Sequence, residues 1–119
     1  MQYALLIYRR PDDDYGLSDE QRHAVSGEYY ALREDPRVVG GAALHAVENV
    51  TTLRIKDEET LVTDGPFADT KEVFGGWYLV EADDLDGALE LAARIPALRL
   101  GGSVEVRPVV EAPLGSDLR

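Results

Sequence analysis

The sequence predicts an α+β domain in which two helices cover one face of an antiparallel sheet. Three observations carry that expectation. Short runs rich in β-branched and aromatic residues are interrupted by two longer helical stretches. The runs fall in the order β-α-β-(β-β)-β-α-β. The first run, "QYALLIYR", is apolar on both sides, as a central strand covered from two directions requires.

That run, Gln2–Arg9, is followed by a loop, "RPDDDYG", whose three adjacent acids lack the glycine and spacing of a calcium loop and read as a solvated segment. Ser18 then opens a helix. Gln21 three residues on completes a capping-box pattern, and Asp19 and Glu20 suit the positive end of the helix dipole. Val25, Tyr29 and Leu32 recur at helical spacing as the buried stripe, and Pro36 ends the helix. "RVVGGAALHAV" reads as the second strand, with Gly40 and Gly41 marking a bulge or a close backbone approach. "NVTTLRIK", the turn "DEE" and "TLVT" read as a hairpin. "EVFGGWYLVEA" is a further strand with a second Gly-Gly pair. "DDLDGALELAARI" is a helix with Leu85, Ala88, Leu89 and Ala92 on one face, and Gly87 inside it costs up to about 1 kcal/mol relative to alanine. "GGSVEVRPVV" is the last strand. Residues 1–110 thus form one domain, and residues 111–119 a polar tail expected to fray.

With the small hairpin set aside, the order is the ferredoxin-like split βαβ pattern. Such a sheet leaves one face open, and here that face is apolar: Trp77 and Leu79 point one way from their strand, Tyr78 and Val80 the other. An open apolar face is a liability in a monomer, so the sequence predicts a homodimer packed sheet against sheet.

Composition narrows the function. The chain holds no cysteine, which excludes disulfides, thiol nucleophiles and thiolate metal sites, and only two histidines, His23 and His45, so no metal site is expected. The net charge of −11, spread over both halves, offers no basic stripe for nucleic acid and would be repelled by an anionic membrane. "MQYALLIYRR" is too short and lacks the leading basic residues of an export signal, so a cytoplasmic setting is expected. Neither "GGW" nor "GGS" fits a phosphate loop, and no organic cofactor is expected.

The stretch "TDGPFADTKE", Thr63–Glu72, is too polar for a strand and too long for a tight turn. Asp64-Gly65 is a turn dipeptide, Pro66 restricts its neighbours, and Phe67 is the one apolar anchor of the stretch. One reading is a rigid connector carrying a surface ion pair. The other is a roof over a pocket, with Asp64 aimed inward and Gly75-Gly76 leaving space beside it. His45, at the end of the second strand, has the titration range of a base near neutral pH. His45 and Asp64 are therefore the candidate acid–base residues. Lys71, Glu72 and Arg107 are the candidate substrate-binding residues, with Arg107 sharing a strand face with Ser103 and Glu105. His23 reads as a solvated helix residue.

The same stretch, with "YALLIY", "GWYLVEADDLDGALELAARIP" and "GGSVEVRPV", resembles the DGPF family of the YCII-related superfamily over nearly the whole chain; Asp69 stands where that family usually has Glu. The resemblance implies a dimeric α+β barrel. In the YCII branch it also implies an active pair of a helix histidine and an acid, positions that fall here at Val25 and at Glu34 or Asp35. Two functions of different class remain open. One is a cofactor-independent small-molecule enzyme, an isomerase or lyase using acid–base chemistry. The other is a non-catalytic ligand-binding or regulatory module associated with an alternative sigma factor.

Overall fold

A computed structural model describes residues 1–10, 16–65 and 72–111. The elements are β1 (Gln2–Arg9), α1 (Asp19–Arg33), β2 (Val38–Ala43), β3 (Thr51–Lys56), β4 (Glu59–Asp64), β5 (Val73–Glu81), α2 (Leu85–Ala92) and β6 (Ser103–Pro108). Single 3-10 turns lie at Val47–Asn49 and Pro96–Leu98. Four strands form one antiparallel sheet in the order β2-β5-β1-β6, the ferredoxin-like arrangement the sequence predicts. β3 and β4 pair only with each other and form a separate ribbon.

β1 is central because both its faces are apolar, but the two faces meet different surroundings. Tyr3, Leu5 and Ile7 are buried on the helix side, opposite Val80, Tyr78 and Gly76 of β5. Beneath the helices, Leu5, Val80, Leu32, Leu91 and Ile95 are almost wholly shielded from water. Ala4, Leu6 and Tyr8 point the other way, beside Leu79, Trp77 and Phe74, and keep part of their surface exposed. On that open face the Tyr8 and Phe74 ring centroids lie 5.6 Å apart, and Phe74 stacks on Trp77 at 6.3 Å.

α1 begins as its sequence predicts. The Gln21 N–H donates to Ser18 Oγ at 3.1 Å, and the Ser18 N–H donates to Gln21 Oε1 at 2.8 Å. Of the expected stripe, Leu32 is buried and Val25 and Tyr29 are half-buried. α2 is capped by Asp84, which accepts from the Gly87 N–H at 2.9 Å, so Gly87 sits in the first turn rather than mid-helix. The buried side of α2 is Ala88, Leu91 and Ala92, whereas Leu85 and Leu89 are exposed. The expected stripe is thus rotated, because the small alanines, not the leucines at 85 and 89, let this short helix lie close to the sheet.

The turn from α1 into β2 is tied to α2 by an ion cluster. Asp35 accepts from the Arg37 backbone N–H at 2.9 Å, from two guanidinium nitrogens of Arg37 at 3.1 and 2.9 Å, and from Arg94 at 3.1 Å. These partners, Arg37 foremost, hold the Asp35 carboxyl far below the usual carboxylate range.

Two boundaries differ from the sequence reading. β2 stops at Ala43, so His45 lies beyond the strand rather than at its end. β4 runs on to Asp64, paired with Thr51, so this residue closes a strand instead of opening a loop. The ribbon turns through Asp57 and Glu58, both with positive φ (52° and 68°), as a two-residue hairpin turn demands.

Candidate functional site

The edge strand β2 is built mostly of small residues. β2 reads "VVGGAA", and it pairs with Val80, Leu79, Tyr78, Trp77 and Gly76 of β5. The closeness of the strands requires this. Gly41 has φ 135°, and a Cβ there would lie 2.2 Å from the Trp77 carbonyl oxygen. Gly76 has φ 155°, and a Cβ there would lie 2.7 Å from the Ala42 carbonyl oxygen. Both positions exclude other residues. The register slips between Val38 and Gly40, the bulge that the Gly-Gly pair predicts.

Facing this floor, α1 presents Ser26, Tyr29, Tyr30 and Arg33, spaced i, i+3, i+4 and i+7 along one side of the helix. Between floor and helix lies a cleft of 580 Å³, within the size range of small-molecule sites. Ile7 and Arg9 of β1 and Tyr78 of β5 also line it. The Tyr78 hydroxyl donates to the Tyr29 carbonyl oxygen at 2.8 Å, which fixes the helix over the sheet. Burial pushes the Tyr78 phenol up to about 12, and the nearby Arg33 charge opposes that rise. Arg33 lies over the Tyr30 ring, 5.7 Å from its centroid. Arg9 passes beside Gly75; a Cβ on that glycine would sit 3.2 Å from the arginine Cδ and Nε. Glycine there keeps the Arg9 stem against the sheet.

A model of the YCII-related domain matches residues 1–113. An uncharacterised protein of Rhizobium meliloti (strain 1021) is 36% identical over 114 residues, covering 92% of each chain. The chain belongs to the YCII-related family. The family gives no settled activity, so the site has to be read from its geometry.

In this YCII-related chain the predicted site residues fall into separate places. His45 is exposed, one residue beyond Leu44, whose N–H donates to the Gly75 carbonyl at 3.0 Å and which lines the cleft mouth. Asp64 is exposed at the base of the ribbon, where the Gly65 N–H donates to the Val50 carbonyl at 2.7 Å and the Thr52 hydroxyl to the Gly65 carbonyl at 2.6 Å. Neither is among the residues that line the cleft. Lys71 and the anchor Phe67 lie outside the described residues. Glu72 accepts from the Ser103 hydroxyl at 2.6 Å. Arg107 stands opposite Ala4, on the open face with Ser103 and Glu105, the side of the sheet away from the cleft. There the Glu105 carboxylate, hydrogen-bonded to the Tyr8 hydroxyl, raises the Tyr8 phenol.

Of the positions that the family pattern assigns to an acid, Asp35 is committed to its two arginines and Glu34 is the exposed C-cap of α1. His23 is exposed on α1. Among the described residues no group of three or more acids or histidines is gathered as a metal site would need, and no helix is long and apolar enough to cross a membrane. Sequence reasoning missed Ser26, Tyr30, Arg33 and Arg9. A signal existed: the 26-29-30-33 spacing is a second helical stripe beside Val25 and Leu32. Its polarity gives it the pattern of a solvent-facing side.

Proposed function

We propose that this protein binds a small organic molecule in the cleft between α1 and the β2–β5 edge. The observation that carries the reading is a single cleft lined by the small residues Gly40–Ala43 of β2 and by Tyr29, Tyr30 and Tyr78. A groove with this lining offers aromatic contact from the tyrosines beside the small residues of β2. No group in the described lining titrates near neutral pH by its ordinary value, so binding without chemistry is the reading best supported by the cleft alone. Ser26→Trp places a large ring in the groove from an exposed helix position. Compounds from a fragment library that raise the melting temperature of the wild type should lose that effect in the variant. Undiminished shifts across the library would refute the cleft as the site.

A second reading, a cofactor-independent isomerase or lyase, is supported by one contact. The Leu44–Gly75 hydrogen bond holds His45 one residue from the cleft mouth. In it His45 and Asp64 are the acid–base pair, with Lys71 as electrostatic help. His45→Gln should then abolish turnover while leaving binding in place; equal loss of both would sink this version. A regulatory module working with an alternative sigma factor has no specific support in the cleft.

The open face supports a homodimer for either reading, since Leu6, Phe74, Trp77 and Leu79 form an apolar aromatic patch there. Sedimentation at micromolar concentration should give twice the chain mass of 13.1 kDa. A clean monomer would refute sheet-to-sheet pairing.

A further inference from the structure

The walls of the cleft carry a charge opposite to that of the protein. Acids outnumber bases 23 to 12 over the chain, and its overall field repels anions. Yet the described residues of the cleft include two arginines, Arg9 and Arg33, and no carboxylate. The four arginines Arg22, Arg37, Arg94 and Arg99 each hold a carboxylate: Asp19, Asp35, Asp35 and Glu28. Arg33 holds none among the described residues; it lies over the Tyr30 ring. Stacking on an aromatic face leaves the edge of a guanidinium, with its donor fork, open to a planar acceptor. Tyr29 sits one residue before Tyr30 and is fixed by its carbonyl to Tyr78, so the helix that carries Arg33 is held at a set height above the glycine floor. Arg33 and Tyr78 line the same cleft. Arg9 is already engaged within the chain and adds its charge to the field at the β1 side.

Resting on the cleft reading above, we propose that the ligand is a small organic carboxylate, its anionic group taken by Arg33 and its aromatic or apolar body laid between Tyr30 and the Gly40–Ala43 floor. A carboxylate is favoured over a bare inorganic anion because most of the lining is apolar or aromatic, and an ion without a body leaves that surface unfilled. It is favoured over a cation because the described lining holds Arg33 and no carboxylate.

The test uses three probes that differ only at the head group: 3-phenylpropionate, 3-phenylpropionamide and 3-phenylpropylamine. Binding is read from the backbone amide resonances of Gly40, Gly41, Gly75 and Gly76, which report the floor directly. The acid should bind at least about ten-fold tighter than the amide, the range of a charge-assisted hydrogen bond, and the amine weakest. Arg33→Gln should remove that advantage, and Arg33→Lys should restore only part of it, having charge without the fork. Both substitutions are at an exposed helix position, where the fold does not depend on the side chain. If the amide binds the floor as tightly as the acid, or if the acid's advantage survives in Arg33→Gln, the carboxylate assignment is overturned and the cleft stands. If none of the three probes moves the four glycine resonances, the cleft reading itself falls, and this assignment with it.

Discussion

Asp35→Asn should be the most destabilising single-atom change in the described structure, and its effect should depend on pH in a defined direction. The carboxylate joins three segments: its own turn after α1, the start of β2 through Arg37, and the end of α2 through Arg94. Asparagine keeps one oxygen for the Arg37 backbone N–H but puts an NH2 group against two guanidinium groups. The Asp35 side chain is 13% exposed, so screening by water is limited though not absent. Losing charge-assisted bonds in such a place costs about 2 kcal/mol, at the low end for bonds to charged groups because the arginines are themselves partly in water. For a domain of this size that is a fall in melting temperature of roughly 8 °C. The folded-state carboxyl is held below its unfolded value of about 3.9, so the stabilisation is complete above that pH and is lost as pH falls toward the folded value. Urea unfolding at pH 7 should therefore show the full gap between wild type and variant. At pH 3 the gap should have narrowed by about 1 kcal/mol, because each pH unit below the unfolded value removes roughly 1.4 kcal/mol. A gap of the same size at both pH values would mean that shape, not charge, makes Asp35 matter. No gap at pH 7 would mean that the cluster is idle.

Three further outcomes follow from packing and backbone geometry. Leu91→Ala empties a fully buried position under α2 and should cost about 3 kcal/mol in urea unfolding; a loss below about 1 kcal/mol would show that α2 is not docked on the sheet as described. Gly41→Ala places a Cβ 2.2 Å from the Trp77 carbonyl at a φ of 135°, so it should cost at least about 2 kcal/mol and loosen β2, seen as faster amide exchange at Ala42 and Ala43; unchanged exchange would refute the close approach. Glu58→Gly relieves a left-handed residue in the ribbon turn and removes one of three consecutive acids, so it should stabilise the ribbon by about 1 kcal/mol, read from exchange protection at Leu53 and Leu61; reduced protection would mean that the turn has another geometry.

The sequence by itself determined the order of elements and hence the sheet. Each strand and helix announces itself through local chemistry: the two-faced apolarity of β1, the Ser18–Gln21 box, the aspartates ahead of α2. The topology then follows from the few ways such units can pack. The glycine pairs were legible too, because a position without a side chain inside a strand has few physical reasons, and close approach is the commonest. Only the tertiary structure decided which residues face a common space. In the sequence, His45 and Asp64 stand out as a strand-end imidazole and a carboxylate on a rigid turn beside a Gly-Gly pair. Three-dimensional packing instead sets opposite those glycines the polar side of α1, whose Ser26, Tyr30 and Arg33 look like solvent-facing residues in one dimension. A helix periodicity states that residues 26, 29, 30 and 33 share a side. It does not state what that side meets, which depends on how far the helix stands from a sheet edge that glycine has left bare. Likewise, Leu85 and Leu89 fit the helical period as well as Ala88, Leu91 and Ala92 do. The choice between the two stripes rests on the separation of α2 from the sheet, a quantity that exists only once the chain has folded.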